Sequence, residues 1–345
     1  MKIGEFEIGT GHTYIIAELS ANHGGSFDRA ADIVRAACVA GADAVKLQTY
    51  TAETLTFKSN EAPFRIEHGT IWDGRNLYEL YKQAAMPWEW QPELKSIAND
   101  LGMDLFSSPF DPTAVDFLEQ MDVPAYKIAS FEIVDVGLLR RVARTGKPVV
   151  LSTGMATAED IELAMETLRA NGTEEIALLK CTSAYPAPLE SMNLQTIPEM
   201  RDRFGVAVGL SDHSHGHLAA TTAVALGASV IEKHLTLSRS DGGPDSAFSL
   251  EPDEFAQMVT AVREAEAVLG TVQFGPTDED AGNRRFRRSL FAIRDIVAGE
   301  PFTLDNVRSI RPGNGLAPRY LDQLMTRTAR SDISAGTPLS WRHIQ

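Results

Sequence analysis

From residue 14 to about residue 235 the chain alternates between short apolar runs and longer segments with helical periodicity. Apolar runs rich in β-branched side chains predict strands, whereas apolar positions three or four residues apart predict amphipathic helices. The predicted strands are Tyr14–Ala17, Ala44–Gln48, Asp104–Ser107, Ala125–Ile128, Val149–Ser152, Ile176–Lys180, Ala207–Leu210 and Val230–Lys233. The clearest predicted helices are Asp28–Ala40, Glu89–Leu101, Thr113–Gln120, Ala158–Ala170, Gly216–Leu226 and Glu251–Leu269.

Strands that alternate with helices form βαβ units, which favour a parallel sheet in the α/β class. Eight such units fit a closed (β/α)8 TIM barrel. An open doubly wound sheet is the alternative, although no GxGxxG motif follows the first strand to support its dinucleotide-binding form. The longest insertion runs from about Thr51 to Pro87, and we expect it to pack over the barrel as a loop with a short helix.

After the last predicted helix the chain changes character and becomes rich in short strands and turns. We therefore predict a catalytic barrel over residues 1–270, a linker over 271–286 and a small β-rich domain over 287–345. Residues 295–307 read DIVAGEPFTLDNV and residues 332–344 read DISAGTPLSWRHI, which predicts two similar β units. About sixty residues make a small core, so this domain is expected to lean on another surface.

Composition narrows the choice of partners. The formal net charge of −15 argues against nucleic acid or an anionic membrane as the main partner. The N-terminal MKIGEFEIGT lacks the apolar core of a secretory signal, and no apolar run is long enough to span a membrane. Two cysteines, Cys38 and Cys181, form no disulfide framework, so we expect a cytoplasmic protein.

Polar side chains stand at the carboxyl end of every predicted strand. Active sites of (β/α)8 barrels lie at this end. A single polar strand end is more often a helix cap, but eight together are hard to attribute to capping. They are Glu18; Lys46 and Gln48; Ser107 and Ser108; Lys127, Ser130 and Glu132; Ser152 and Thr153; Lys180, Thr182, Ser183 and Tyr185; Ser211, Asp212 and His213; and Glu232 and His234.

His213 and His234 follow strands seven and eight, which are neighbours in a closed barrel and direct both side chains into one space. Neutral imidazoles suit borderline divalent ions, so the pair predicts a metal site. Two histidines bind an ion weakly, so another group such as Glu18 or Asp212, a water or the substrate is expected to complete the shell. Two alternatives stay open: a hydrogen-bonded neutral pair without metal, and ligands supplied by His215 or His217.

The lysines on strands two and four, Lys46 and Lys127, need anionic partners if they are buried. Hydroxyls and neighbouring backbone N–H groups bind phosphate or carboxylate oxygens. Such hydroxyls follow four of the strands, at Ser130, Ser152, Ser183 and Ser211. Together these groups predict a small, highly charged substrate at the barrel mouth. The alternative is that each lysine pairs with a barrel carboxylate such as Glu18 or Glu232. No Ser-His-Asp spacing, nucleophile elbow or P-loop supports a hydrolase or a nucleotide-dependent enzyme.

Over almost its whole length, in order, the chain resembles the sialic acid synthase family. The C-terminal domain is similar to the antifreeze-like (SAF) domain of those enzymes. AELSANH and GPDSAFSLEP point to the branch that acts on a 2,4-diacetamido-2,4,6-trideoxy hexose. The resemblance rests on IIAELSANHGG (Ile15–Gly25), DAVKLQTY (Asp43–Tyr50), FSSPFD (Phe106–Asp111), YKIASFE (Tyr126–Glu132), LSTGMAT (Leu151–Thr157), LLKCTSAYPAP (Leu178–Pro188), GLSDHS (Gly209–Ser214), IEKHLT (Ile231–Thr236) and RPGNG (Arg311–Gly315).

The resemblance implies a synthase that condenses phosphoenolpyruvate with an amino-sugar aldehyde and water. A divalent ion (Mn²⁺, Mg²⁺ or Co²⁺) would be held by His213 and His234, and Glu18 or the ion would activate the water. The groups implied for phosphoenolpyruvate are Lys46, Ser108, Lys127, Ser130, Ser152, Ser183 and Ser211, of which the two lysines also take part in catalysis. Those expected for the sugar are Gln48, Glu132, Tyr185, an apolar wall at Phe248, and Arg311 from the partner subunit of a domain-swapped homodimer.

Three alternatives remain. Related synthases make N-acetylneuraminic or legionaminic acid and differ in the sugar. Other phosphoenolpyruvate-condensing barrels make 3-deoxy sugar acids, but these should lack the C-terminal module. A non-enzymatic alternative is a carbohydrate-binding protein that uses the small domain, and the strand-end constellation speaks against it.

Overall fold

The structure is a computed structural model that describes residues 1–67 and 69–345. The chain forms two compact units, Met1–Gly270 and Thr271–Gln345. Among the described residues, eight parallel strands close into a barrel, which confirms the predicted (β/α)8 fold and excludes the open sheet. The strands are β1 Tyr14–Glu18, β2 Ala44–Thr49, β3 Asp104–Pro109, β4 Tyr126–Ile128, β5 Val149–Ser152, β6 Ile176–Cys181, β7 Ala207–Asp212 and β8 Val230–His234.

One main helix follows each strand. These helices are α1 Phe27–Val39, α2 Gln91–Asp100, α3 Pro112–Gln120, α4 Val136–Ala143, α5 Ala158–Ala170, α6 Thr196–Phe204, α7 Leu218–Ala225 and α8 Pro252–Leu269. The predicted helices had not included α4 or α6. Each has only about two turns, too few to establish a 3.6-residue period in the sequence. No helix in residues 1–67 and 69–345 is both long enough and apolar enough to cross a bilayer.

Side-chain caps fix where several helices begin, directly after the strand ends that matter for the site. Ser26 accepts a hydrogen bond from the Arg29 backbone N–H at the start of α1. At α5, the Thr157 hydroxyl accepts from the Asp160 N–H, and the Asp160 carboxylate accepts from the Thr157 N–H at 2.9 Å. Such reciprocal caps satisfy N–H groups that the first helical turn leaves unpaired. The loops at the carboxyl end of the barrel are therefore anchored on both sides.

Two features of the barrel unit differ from expectation. The described part of the insertion between β2 and α2 contains two short helices, Ala52–Leu55 and Leu77–Ala84, where one was expected. At the N-terminus, Lys2–Ile3 pairs antiparallel with Phe6–Glu7, a hairpin too short to be recognised by alternation.

Sheet closure sets the register of the site residues. Strand β8 pairs with β1 so that His234 lies opposite Glu18, and β1 pairs with β2 so that Glu18 lies opposite Lys46. On the other side of β8, Glu232 lies opposite Ser211 of β7. Polar groups from the first, second, seventh and eighth strands therefore meet at one end of the barrel.

The C-terminal unit has its own apolar core and a two-stranded antiparallel sheet, β9 Ser289–Ala292 with β10 Val307–Ile310. Its two repeats pair with each other through reciprocal backbone hydrogen bonds between Ile296 and Ile333, of 2.9 and 2.8 Å. An aspartate of each repeat also accepts an N–H of the other: Asp332 from Ala298 and Asp295 from Ala335, both at 2.8 Å. The sequence repeat thus corresponds to a structural one.

The close approach of β7 to β8 leaves no space for a side chain at Gly209. A Cβ there would overlap the Val230 carbonyl oxygen and the Leu179 side chain. We expect Gly209→Ala to lower the free energy of unfolding by roughly 1–3 kcal/mol, the usual cost of overpacking a core. Urea unfolding followed by circular dichroism measures this loss.

Gly282→Ala is the matched control, because Gly282 has a φ of −62° and no atom within 4 Å of an added Cβ. It should change stability by less than about 0.5 kcal/mol. Equal stability of the Gly209 variant and wild type would contradict the predicted overlap.

Candidate active site

A cavity of about 470 Å³ opens at the carboxyl ends of the barrel strands. Its volume lies within the range of small-molecule sites, and this end of the barrel is where (β/α)8 enzymes bind substrate. Most of the residues singled out from the sequence line it. They are Lys46, Gln48, Lys127, Ser130, Glu132, Ser152, Tyr185, Ser211, His213, His234 and Phe248.

Four of the residues that the resemblance implies for catalysis or substrate binding do not line this cavity. Glu18 is fully buried beneath it, and Ser108 is also buried and accepts a hydrogen bond from Lys46 at 3.4 Å. The Ser183 hydroxyl lies against the backbone of Gly154, where a Cβ would overlap it. Arg311 belongs to the C-terminal unit, where it is exposed.

Lys46 is buried between two carboxylates. Its Nζ lies 2.8 Å from Glu18 Oε2 and 3.4 Å from Glu232 Oε1. Gln48 donates a hydrogen bond to the other oxygen of Glu18 at 3.0 Å. Burial raises the pKa of Glu18 to about 7, although Lys46 opposes the shift. The carboxylate pairing considered from the sequence is thus present at Lys46, whose amine also reaches the cavity.

Lys127 has different surroundings. Its Nζ donates to Ser152 Oγ at 2.6 Å and to the Ile128 carbonyl at 2.8 Å. Within the described part of the chain, no carboxylate lies within ion-pair distance of this amine. Burial lowers the pKa of Lys127 to about 8. A buried ammonium without a bonded anion favours an anionic ligand in the cavity.

Gly154, just after β5, forms a cradle with two serines. Its backbone N–H donates to Ser130 Oγ at 3.1 Å. A Cβ on Gly154 would overlap the hydroxyls of both Ser130 and Ser183, so only glycine lets the backbone approach them. Closely spaced hydroxyls and N–H groups beside Lys127 suit the oxygens of a phosphate or carboxylate.

His213 and His234 lie side by side, with ring centroids 5.4 Å apart. His213 Nδ1 lies 3.0 Å from the Thr182 carbonyl, so it is the donor there and Nε2 is left as an acceptor in the neutral ring. Among the described residues, the buried His234 Nδ1 has no hydrogen-bond partner. Burial holds the pKa of His234 well below its ordinary value, so this ring is neutral.

These properties fit two nitrogen ligands for a divalent ion. In the described chain, no group of three or more His, Cys, Asp or Glu side chains is arranged to hold a metal. An ion at the two imidazoles would therefore need water or substrate to complete its shell, as expected for a catalytic site with open positions. For His213, burial lowers the pKa, but bonding to Cys181 and to the Thr182 carbonyl outweighs burial and leaves it raised.

Glu132 lines the cavity near its rim. Burial raises the pKa of Glu132 to about 7, and Lys127 opposes this only in part. Its Oε2 is buried without a hydrogen-bond partner among the described residues. An unpartnered buried carboxyl oxygen is costly, and this one is free to bond a substrate hydroxyl or amide.

Comparison with known proteins identifies the family. The NeuB family profile matches residues 33–274, and the SAF domain profile matches residues 287–345. The chain belongs to the NeuB family. It is therefore an enzyme of the nonulosonic acid synthase type.

Two related proteins match nearly the whole chain, and a related solved structure matches most of it. Pseudaminic acid synthase of Campylobacter jejuni is 46% identical over 98% of this chain and 98% of its own. N,N'-diacetyllegionaminic acid synthase of Legionella pneumophila is 36% identical over 96% of this chain and 94% of its own. The crystal structure of N-acetylneuraminic acid synthetase from Leptospira borgpetersenii, in complex with citrate, has a TM-score of 0.73 and 31% identity. It covers 82% of this chain and 94% of that one.

The sequence did not single out every residue that lines the cavity at the carboxyl ends of the strands. Trp72 comes from the insertion, Tyr50 and Cys181 follow or end strands, and Asp245 comes from the long loop after β8. Asp245 is fixed by hydrogen bonds from Ser20 Oγ and from the Ala21 N–H, the latter 3.4 Å long. This loop contains SDGGPDSAF, and nothing in its sequence indicates which carboxylate turns inward.

A larger cavity, of about 680 Å³, lies at the opposite end of the barrel. It is bounded by the amino ends of β6 to β8, with Ile176, Ala207 and Ser229 in its wall. None of the strand-end side chains described above reaches it. Size therefore does not decide which cavity is catalytic; the convergence of lysines, histidines and hydroxyls does.

The raised pKa of Glu132 predicts a pH-dependent contribution to stability. Below its ordinary pKa of 4.5 the carboxyl is protonated in both the folded and unfolded chain. As the pH rises, the unfolded chain ionises first, while the folded protein keeps this proton until about pH 7. Wild type should therefore lose roughly 1–3 kcal/mol relative to Glu132→Gln between about pH 5 and about pH 8.

Urea unfolding of both proteins at the two pH values measures this difference. Glu89→Gln, at an exposed carboxylate outside the cavity, is the control. Wild type and Glu132→Gln differing by the same amount at both pH values would contradict the assignment.

Proposed function

We propose that this enzyme is a pseudaminic acid synthase. It would condense phosphoenolpyruvate with 2,4-diacetamido-2,4,6-trideoxy-β-L-altropyranose and water, and release phosphate by C–O cleavage. The observation that carries the proposal is one cavity in which the Lys127 ammonium and the Gly154 cradle stand beside the His213–His234 pair. An anion site next to a carbonyl-polarising site is what this condensation requires.

The choice of sugar rests on the comparisons. Identity is 46% to the pseudaminic acid synthase of Campylobacter jejuni and 36% to the legionaminic acid synthase of Legionella pneumophila, each over nearly the whole chain. The apolar wall at Phe248, whose ring lies 4.9 Å from that of His234, also suits a sugar without a C6 hydroxyl.

Phosphoenolpyruvate would bind with its negative charges toward Lys127 and Lys46. The hydroxyls of Ser130 and Ser183, which lie next to each other at Gly154, would donate to phosphate oxygens, while Ser152 positions Lys127 by accepting its hydrogen bond at 2.6 Å. The buried ammonium of Lys127 has no bound carboxylate to displace, so its charge is available to the substrate.

Bond formation then joins C3 of phosphoenolpyruvate to the aldehyde carbon of the open-chain sugar, and the aldehyde oxygen takes up a proton to become a hydroxyl, a proton that the one lost by the added water balances. Positive charge develops at C2, where water adds and loses a proton. Glu18, whose pKa is raised to about 7 by burial, has a proton affinity suited to receive it. The bond between C2 and the bridging oxygen of the phosphate group then breaks, phosphate leaves and a ketone forms at C2. Lys46 and Lys127 offset the charge of the departing phosphate.

A divalent ion fits this scheme at His213 and His234. When bound, Mn²⁺, Mg²⁺ or Co²⁺ would act as a Lewis acid toward the sugar aldehyde. The chain contributes two imidazole nitrogens, His213 Nε2 and His234 Nδ1, as ligands.

The deciding experiment measures phosphate release from phosphoenolpyruvate with the trideoxy altrose, N-acetylmannosamine and the legionaminic acid precursor, with mass spectrometry of each product. We expect the highest kcat/KM with the trideoxy altrose. Treatment with a chelator should abolish turnover, and Mn²⁺ should restore it. A His234→Ala variant should fail to respond to Mn²⁺, because one of two protein ligands is gone.

Full activity of metal-free protein would exclude the metal site. Preference for another of the three sugars would leave the enzyme class standing and replace the substrate. Absence of phosphate release with all three would overturn the proposed function.

We place Arg311, exposed on the C-terminal unit, in the sugar site of the second chain of a homodimer. Arg311→Ala should raise the KM for the sugar more than that for phosphoenolpyruvate, because a guanidinium would bond sugar oxygens. Lys127→Met should be inactive in every arrangement.

Co-expression of the two variants distinguishes donation between chains from donation within one. If Arg311 acts on the partner, each mixed dimer has one complete site, and random pairing restores about a quarter of wild-type activity. If Arg311 acts within its own chain, no complete site forms and the activity is about half that of the Arg311→Ala protein, because only half of the chains retain Lys127.

A further inference from the structure

The cavity has two chemically distinct sides. The strand ends supply its charged and hydroxyl-bearing groups, including Lys46, Lys127 and Ser211. The insertion between β2 and α2 supplies the other side, and among its described residues the side chains that face the cavity are almost all apolar. They include Leu55, Ile66, Trp72, Leu77 and Leu80.

Trp72 is the centre of the apolar side. Its ring centroid lies 5.5 Å from that of Tyr185 and 6.5 Å from that of Phe248. Those two rings in turn contact the histidine pair, Tyr185 at 4.4 Å from His213 and Phe248 at 4.9 Å from His234. A continuous aromatic wall therefore runs from the two imidazoles to the insertion.

The polar atom of Trp72 is already committed. Its Nε1–H donates a hydrogen bond of 2.9 Å to the Pro244 carbonyl in the loop after β8. This bond fixes the orientation of the ring and leaves only carbon atoms facing the cavity. Of the other described insertion side chains in the wall, only Tyr81 carries a polar atom. A substrate hydroxyl placed against Trp72 would lose its hydration without gaining a partner there.

The separation between the histidines and Trp72 bears on which part of a sugar meets the indole ring. If the aldehyde carbon lies at the histidines, an extended six-carbon chain reaches about 6 Å further, given C–C bonds of about 1.5 Å. Two ring-to-ring steps, of 4.4 Å and 5.5 Å, separate His213 from Trp72 through Tyr185. Among the described residues no ring contact joins Trp72 to either histidine, so a group far along the chain, such as the terminal carbon of the sugar, is placed to meet the indole when the aldehyde lies at the histidines.

We propose that Trp72 is a specificity-determining residue that packs against the C6 methyl group of the sugar and rejects a C6 hydroxyl. This inference rests on the proposed function, because it takes the aldehyde to lie at His213 and His234. It assigns selection of the deoxy sugar to the insertion and the reaction itself to the barrel strands.

The test compares kcat/KM for the trideoxy altrose with that for its counterpart bearing a hydroxyl at C6, which differs at one atom. Wild type should prefer the 6-deoxy sugar by at least about tenfold, the discrimination that one apolar contact provides. Trp72→Asn offers an amide to the hydroxyl and should reduce this ratio by about tenfold. Trp72→Phe retains an apolar ring and should keep the ratio within about threefold of wild type.

Trp88→Phe is the matched control. Trp88 is also half-buried near the end of the insertion, and its indole N–H donates to a backbone carbonyl, that of Tyr50 at 3.2 Å. Its ring stacks on Phe117 and does not line the cavity, so this variant should leave the ratio unchanged.

The possible results separate the role of Trp72 from the proposed function. A wild-type ratio near one overturns the proposal without any variant, as does an unchanged ratio in a folded Trp72→Asn protein. If Trp72→Asn does not fold, Trp72→His replaces it, because it keeps a ring, offers a nitrogen to the hydroxyl and should reduce the ratio in the same way. Absence of turnover with either sugar in wild type would contradict the proposed function, whereas turnover without discrimination contradicts only the role of Trp72.

Discussion

The candidate site depends on closure of the sheet between its first and last strands. Pairing of β8 with β1 places His234 opposite Glu18, although more than two hundred residues separate them in the chain. The same closure leaves Glu232 within reach of Lys46, which stands two strands away. In an open sheet β1 and β8 would lie apart. The histidine pair of β7 and β8 would then not share a cavity with the Lys46–Glu18 pair of β1 and β2. The architecture is therefore a precondition for the chemistry.

Closure also buries four charged side chains in one region, where they can offset one another's charge. Lys46, Lys127, Glu18 and Glu232 are all buried, and each charge alone would be expensive to remove from water. Lys46 satisfies both carboxylates, and the pKa of Glu232 is lowered because Lys127 and Lys46 outweigh its burial. Lys127, bonded only to neutral oxygens, is the unbalanced member. Its charge is compensated when an anion binds, so the feature that costs stability in the free protein favours substrate binding.

The fold and much of the polar side of the site could be predicted from the sequence because both follow from strand periodicity. Alternation fixes which side chains face the barrel interior, and the chain order of the strands gives their neighbours, so His213 and His234 could be paired without coordinates. Six of the eight strands extend one or two residues past their predicted ends, which places groups such as Glu18 inside the strands. The partner of Lys46 stayed open because it depends on side-chain geometry across three strands. Trp72 and Asp245 could not be assigned, since they come from segments without a repeating pattern and are positioned by local contacts, which include hydrogen bonds to Pro244 and from Ser20.

The polar side, which could be predicted, and the apolar side, which could not, also differ in how they are held in place. The polar side is held by backbone hydrogen bonds between strands, so its donors and charges have fixed separations, as bond formation between two substrates requires. The apolar side comes from the insertion after β2, which can change side chains without altering strand register. With Trp72 in its proposed role, a sugar with a different terminal group would require a different insertion surface, while the strand ends could stay the same. In this chain the contact between Trp72 and the loop after β8 joins the two sides, because that loop also carries Phe248, which packs on His234. Selection of the sugar is thus mechanically connected to the residues that would polarise its aldehyde.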